Sequence, residues 1–444
     1  MADRSLVAHL FRRAAFGARP AELDYYGSRS YDTAVADLLS GRSLMGQTPS
    51  LDEAIAPVNR PLQNLRGRAA PAALNEIQTA WLRGMVTTTI PLVERMTLFL
   101  HDHFATAYRP GDTVDSPELT AQNDVFRANA LGNWRTICHA MLDDVALSCW
   151  LDNNINVKGH PNENLAREFM ELFTLGTGTY TETDVREAAR ALTGMTVGFN
   201  LSATGSRNAM VFDAKRHDAG VKTILGRSGN FLPHDVVDIL LAQPAAPLFL
   251  ARKLGETFVG PAPSSSFVTA IADVLVTNDW ELRPALSAIF RSESFQAAAS
   301  RSALVKSPAE FVTGALRALN RTDFYDQALV WMGRQGQNLY DPPTVAGWPH
   351  NEGWLGAGNV LARYNFGVQL AQTHVNAFAA PGSGGVRATT ADGWGEIFGV
   401  TPLAGATRAA MDGYRAKSGV TAPAKTVDAA MITLLIGSPD FSLS

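Results

Sequence analysis

The chain has 444 residues, 46% of them hydrophobic and 18% charged, with a formal net charge of −4. That length exceeds the usual size of one domain and supplies ample apolar surface for a core. With no lysine- or arginine-rich run, an electrostatic nucleic-acid binder is excluded, because neutralising phosphates needs concentrated positive charge. No apolar run approaches the ~20 residues needed to span a bilayer.

The start, "MADRSLVAHLFRRAAFGARP", carries no uninterrupted apolar leader, since Arg12 and Arg13 break it. As written the chain is expected in the cytoplasm; it would be exported if a signal peptide had been removed. "SLVAHLFRRAAFG" places Leu6, Leu10 and Phe11 on one side of a short amphipathic helix that stops at Gly17. "SYDTAVADLLSG" reads as another helix. In "TIPLVERMTLFLHDHF", Pro91 suits the first helical turn, where its missing N–H leaves nothing unsatisfied. "NDVFRANALGNWRTICHAMLDDVALSCWLDNN" reads as two helices with a break at Gly132. Its Cys138 and Cys149 make no disulfide framework, and a single bridge stays open. "TETDVREAARALTG" begins at a threonine cap and ends at Gly194.

Two short β-prone runs, Met210–Phe212 and Val221–Leu225, flank a polar turn with Asp218 and Gly220, which predicts a hairpin. Helical sequence resumes at "PHDVVDILLAQPAAPLFLARKLGETFV". Beyond about residue 320 glycine and proline punctuate the chain, and residues 380–388 read as a flexible surface loop. The expectation is a mainly α, multi-helical globular protein with a small β-hairpin insertion near 208–226. It divides into an N-terminal helical lobe (1–200), a hairpin plus helical lobe (201–320) and a C-terminal region packed on the helices (321–444). "LSAIFRSESF" and "MITLLIGSPDF" both end an apolar helix with Ser-x-x-Phe, a shared way of stopping rather than a repeat.

Two polar constellations stand out. On a helical wheel of "NLAREFMELFTL", Leu165, Phe169, Leu172 and Phe173 form the core side. Glu163, Arg167, Glu171 and Thr174 lie opposite, with Glu163–Arg167 and Arg167–Glu171 spaced for pairing. Glu168 falls at the margin of the apolar stripe. A carboxylate there is partly desolvated and needs a cation, a proton or a metal. Arg190 and Arg95 are the expected ion-pair partners in a structural reading. In a functional one Glu168 and Glu171 converge on one ligand, with Asn164 between them.

The second constellation is "ERMTLFLHDHF". Glu94, Leu98 and His101 share a face of a continuous helix, while His103 points roughly 200° away. His101 and His103 can share an ion only if the helix ends near His101 and the chain extends. Imidazole with carboxylate is a normal ligand set for zinc, manganese or iron. Weaker clusters are Asp152, Asn153, Asn154 and Asn156, read as loop satisfaction, and His217, Asp218 and Lys222, read as solvent charges on a turn. Trp348, Trp354 and Asp341 either floor a groove or pin a loop. The phosphate-loop, Rossmann, nucleophile-elbow and H-E-x-x-H signatures are missing, as are the paired Glu-x-x-His motifs of di-iron bundles.

From "HLFRRAAFG" through "LDNNINVKGHPNENLAREFMELFTLGTGTYTETDVREAARALTG", "RHDAGVKTILG", "KSPAEFV" and "DPPTVAGWPHNEGWL" to "GSPDF", nearly the whole chain resembles a bacterial family called domain of unknown function 1800. The family pattern around the histidines is Trp-His-Asn-His-Phe; here it reads Leu100-His101-Asp102-His103-Phe104. The resemblance implies a largely helical protein, often exported and often accompanied by a sulfatase-like family partner, with no activity to carry over. It also implies that the His-Asp-His and Asn-Glu-Asn blocks belong together. The resulting expectation is an enzyme, hydrolytic or oxidative, using His101, His103, Glu168 and Glu171 around a divalent metal (Zn, Mn or Fe). Arg167 and Arg190 would orient carboxylates or bind an anionic group of a substrate that the sequence does not identify. The competing expectation is a non-catalytic scaffold whose polar cluster holds helices in register.

Overall fold

Asp3 starts the first helix by accepting the Ser5 amide at 2.9 Å, a side-chain cap for a donor the helix leaves unused. This helix, α1 (Arg4–Ala14), stops where Gly17 takes a φ of 106°. The structure, a computed structural model, describes residues 3–46, 70–109, 114–199, 208–377, 386–418 and 422–444. Most of the loop expected at 380–388 therefore lies outside the described residues.

Among the described residues the fold is mainly α-helical with two small two-stranded sheets. After α1 come α2 (Pro20–Gly27), α3 (Tyr31–Ser40), α4 (Ala70–Thr87) and α5 (Pro91–His103). The stretch expected to give two helices gives three: α6 (Ser116–Asn129), α7 (Trp134–Leu142) and α8 (Val145–Trp150). Gly132 marks the first break as expected. Asp144 makes the second by turning its carboxylate onto the Leu147 amide at 2.7 Å, the start of a new helix. No disulfide joins Cys138 and Cys149. α9 (Asn164–Glu168) runs directly into a π-helical turn, Phe169–Thr174, and α10 (Glu182–Ala191) follows behind a Thr181–Asp184 capping box.

Both expected β-runs are strands, yet they do not pair with each other. β1 (Met195–Phe199) pairs antiparallel with β2 (Asn208–Phe212), and β3 (Lys222–Ile224) pairs with β4 (Arg227–Gly229). The segment between β2 and β3 is instead drawn back onto the end of α10. Arg190 Nε donates to Asp218 Oδ2 at 2.7 Å, and the His217 ring donates from Nδ1 to the Thr193 carbonyl at 2.9 Å. Gly194, with a φ of 90°, permits the approach, since a Cβ there would sit 2.9 Å from the Asp213 carbonyl oxygen. His217 and Lys222 are consequently buried rather than solvent charges on a turn.

The chain continues as α11 (Pro233–Leu241), α12 (Ala245–Phe258), α13 (Ser265–Thr277), α14 (Leu282–Arg291), α15 (Pro308–Ala318), α16 (Tyr325–Arg334), α17 (Ala357–Ala377), α18 (Ala391–Ile397), α19 (Gly405–Ser418) and α20 (Ala424–Ile436). The Ser-x-x-Phe echo is a capping device in both places. Ser292 and Ser438 accept the amides of Phe295 and Phe441, and both phenylalanines are buried. Among the described residues no helix is long and apolar enough to cross a membrane.

Two hydrophobic cores organise these helices. One gathers apolar residues between Val7 and Phe295; the other joins α4 to the helices from Ala309 to Phe441. α5 stands at the seam, giving Met96, Phe99 and Leu100 to the first core and Leu98 to the second. A helix buried all round must satisfy every polar side chain internally. That requirement sets the geometry of the site at its C-terminal end.

Candidate functional site

α5 runs unbroken through His103, so His101 and His103 leave it in different directions. His101 is fully buried among the rings of Trp81, Phe126, Tyr340 and Trp348, whose centroids lie 5.2–6.4 Å away, as in packed aromatics. Neither of its ring nitrogens has a hydrogen-bond partner among the described residues. Burial pushes its pKa down to about 3, so the ring is neutral. His103 lies on the other side and bonds the Phe173 carbonyl through Nε2 at 3.0 Å. A carbonyl only accepts, so Nε2 carries the proton and Nδ1 keeps its lone pair. Burial, reinforced by Lys253 and opposed by that hydrogen bond, brings His103 down to about 3.

The α5 and α9 segments therefore do meet, but through a backbone carbonyl. The π turn widens the helix just after Glu168, which changes the wheel on which Glu171 and Thr174 were placed. Thr174, expected on the polar face, is buried with its hydroxyl donating to the Phe169 carbonyl. Leu172 turns toward the cleft described below. Glu168 and Glu171 stay close: burial raises the Glu168 pKa and the Glu171 charge raises it further, against Arg167. Glu171 accepts from the Tyr180 hydroxyl at 2.7 Å. Neither expected ion-pair partner reaches Glu168. Arg95 pairs with Glu310 at 3.0 Å, and Arg190 holds Asp218 and Glu187. Arg167 bridges Glu163 at 3.1 Å and Glu182 at 2.7 Å at the surface. The four expected metal ligands are thus not gathered at one point. Among the described residues no three His, Cys, Asp or Glu side chains are grouped to hold a metal ion.

What the structure does gather is a cleft of about 300 Å³ at the end of α5. Asp102 and His103 reach it from α5, Arg95 from two turns earlier, and Lys253 and Glu256 from α12. Glu310 enters from the first turn of α15, while Trp348, His350 and Trp354 come from the glycine- and proline-punctuated loop. Asp102 draws that loop in. It accepts the Trp348 amide at 2.8 Å and faces His350 Nε2 at 3.4 Å. Gly347, with a φ of 88°, passes so close that a Cβ would lie 2.7 Å from the Asp102 carbonyl oxygen. Burial raises the Asp102 pKa despite the opposing pull of His350, the Trp348 amide, Lys253 and Arg95. Trp348 and Trp354 are both buried and both line the cleft, whereas Asp341 is exposed and does not.

The family model described as "Protein of unknown function (DUF1800)" matches residues 9–443, nearly the whole chain. The chain belongs to this family. No curated protein and no solved structure matches it. Three of the stretches that carry the family resemblance, "LHDHF", "KSPAEFV" and "GWPHNEGW", contribute to the cleft, together with α12.

Charge around Glu310 is mostly positive. Burial works to raise its pKa, but Arg95, the Ser307 amide and hydroxyl, and Arg13 together hold it below the usual carboxylate range. Lys306 is buried with its ammonium 3.9 Å from the Phe441 ring centre, and desolvation, with Arg12, Arg363 and Arg13 nearby, pushes its pKa well down. Arg13 and Arg363 are buried, each with Nε and Nη1 lacking a partner among the described residues. The asparagine-rich loop satisfies much of its own backbone and side-chain polarity, although Asn153 Nδ2 is buried without a partner among the described residues. Asn156 Nδ2 donates to Asn153 and to the Ala189 carbonyl, and its Oδ1 accepts the Asn162 amide at 2.9 Å.

Sequence reasoning missed His350, Lys253, Glu256 and Glu310. His350 stood in a quoted stretch, and its neighbours Gly347 and Trp348 were the usable signal: a glycine before a buried aromatic marks a backbone held close to something. Lys253 and Glu256 sit in an ordinary amphipathic helix, which carries no such signal.

Proposed function

We propose that the protein is an enzyme whose acid–base chemistry lies at the Asp102–His350 pair, acting on an anionic substrate in the cleft. The observation that carries this reading is the pair itself: a carboxylate within 3.4 Å of an imidazole that is 65% exposed at a cleft mouth. A carboxylate so placed orients the ring and fixes its tautomer, as a general base requires. Lys253 and Arg95 line the same space and favour a substrate bearing negative charge. A sulfatase-like partner, implied by the family resemblance, fits a protein that handles anions. Of the two chemistries expected from the sequence, this arrangement suits hydrolysis better than oxidation, since it supplies a proton acceptor beside open space. Where a divalent metal assists, His103 Nδ1 is the free imidazole donor on the cleft wall.

A panel of chromogenic carboxylate, phosphate and sulfate esters tests the reading on the full chain. A hydrolysed ester whose kcat/KM falls about a hundredfold or more in His350→Gln and Asp102→Asn supports it. Both variants keep the loop anchored, because the asparagine still accepts the Trp348 amide, and circular dichroism checks their folding. Absence of turnover above the uncatalysed rate, or variants equal to the parent, would sink it.

A scaffold role is the second reading, favoured by one observation: Asp102 already serves a structural purpose in fastening Trp348. On that reading Asp102→Ala lowers the melting midpoint while no anion in the panel shifts it.

A further inference from the structure

We propose that His139 and His234 form a surface site for a divalent transition-metal ion, well apart in sequence from the cleft residues and independent of the enzymatic reading. His139 lies in the last turn of α7 and His234 in the first turn of α11, two helices that pack together. Their Nδ1 atoms are 2.9 Å apart. Each ring is held from behind. His139 Nε2 lies 3.2 Å from Asp238 Oδ1, and His234 Nε2 lies 3.2 Å from Asp143 Oδ1.

Ionised carboxylates only accept, so each Nε2 carries a hydrogen, and in rings with a single N–H the two Nδ1 lone pairs face each other. Two lone pairs facing at that distance repel unless a positive charge lies between them. A metal ion supplies it, and imidazoles backed by carboxylates are the arrangement in which metal-binding histidines are normally fixed. The surrounding charge agrees: Asp143, Asp238 and Asp279 outnumber Arg135, which pairs with Asp238 at 2.9 Å and approaches Asp279 at 3.7 Å.

The fit is close. Zinc bound at about 2.0–2.1 Å in a tetrahedral angle would place its two nitrogens roughly 3.3–3.4 Å apart. Reaching this separation moves the two Nδ1 atoms apart by roughly 0.4–0.5 Å and turns each ring away from the line joining centres now 5.1 Å apart. The side chains are 25% and 48% exposed, so water can fill the remaining positions. The protein supplies two donors only, fewer than a closed structural zinc site uses, so reversible binding is expected.

Calorimetric titration of Zn²⁺, with Ni²⁺ in parallel, into the full chain purified without a histidine tag tests the site. One equivalent should bind, with affinity reduced about tenfold or more in His139→Gln and in His234→Gln. Asp238→Asn should weaken it about tenfold through loss of the ring's support. His160→Gln, at an exposed histidine elsewhere, should change nothing. Zinc should raise the melting midpoint of the parent and not of the His139→Gln variant, because the ion ties α7 to α11. Absence of binding, or binding that survives both His139→Gln and His234→Gln, overturns the proposal and leaves the pair sharing a proton only. Loss in His350→Gln with retention in His139→Gln overturns it too, by moving the metal to the cleft.

Discussion

Arg127→Met gives the sharpest test of how α5 is held. Arg127 Nε donates to Glu94 Oε1 at 2.5 Å and Nη2 to Oε2 at 3.1 Å, and Nη2 also reaches Asn123 at 2.7 Å. Trp81 Nε1 completes the carboxylate at 3.1 Å, and both charged side chains are 1% exposed. Burial works to lower the Arg127 pKa, and the charge and hydrogen bonds of Glu94 outweigh it. Removing the guanidinium leaves a buried carboxylate with one N–H donor, which costs about 3–5 kcal/mol. Glu94→Gln alone strands the cation at similar cost. The double variant Glu94→Gln/Arg127→Met removes both charges and retains an acceptor for Trp81. It should lose no more than about 2 kcal/mol, giving a coupling of about 4 kcal/mol or more. Thermal unfolding followed by circular dichroism reads this out, at about 1 °C per kcal/mol for a chain of this size. Singles should melt about 3–5 °C below the parent, with the double above both. A double variant as damaged as the singles would refute the idea that uncompensated charge, rather than lost packing, is the damage.

Three further outcomes are expected. Burial raises Asp144 to about 7, against hydrogen bonds from the Leu147 amide and Gln122. Its folded pKa exceeds its unfolded one, so its contribution is fully present below about pH 4 and is lost as pH rises through about 7. Asp144→Asn should flatten that part of the stability–pH curve and melt higher than the parent at pH 8, by at most about 4 kcal/mol; an unchanged curve would show the group titrates normally. His101→Phe should stay within about 1 kcal/mol of the parent, since a neutral ring without partners is exchanged for an apolar one, while His101→Ala should lose about 3–5 kcal/mol to the cavity. Equal losses for both would mean that the imidazole nitrogens matter. Gly347→Ala should cost 2 kcal/mol or more, on the order expected where a left-handed φ and backbone contact coincide, and should release the 347–350 loop; limited proteolysis there would increase, and resistance equal to the parent would contradict the packing.

Residue 168 shows how far local pattern reaches. Its place at the margin of an apolar stripe was legible, and its raised pKa agrees with partial burial. Its partners were not, because Arg95 and Arg190 are each engaged by carboxylates that tertiary packing brings nearer. The wheel failed beyond Glu168 for a local reason: it assumed α-helical spacing through a π turn. For the strands, β-propensity located both runs correctly, while pairing depended on Arg190 and Thr193 pulling the intervening turn back onto α10.

The Thr181 cap and the stop at Gly17 were legible in the sequence, since each acts on residues within a few positions of it. The divergence of His101 and His103 was equally implicit in a continuous α5. Which of the two would be sealed among rings and which would face a cleft was settled only by packing. The cleft joins residues 95–103, 253–256, 310 and 347–354. Nothing in the local pattern of these segments encodes their distance from one another. That distance follows from α5 being buried between two cores, where Asp102 finds its hydrogen-bond donor in a loop some 246 residues away.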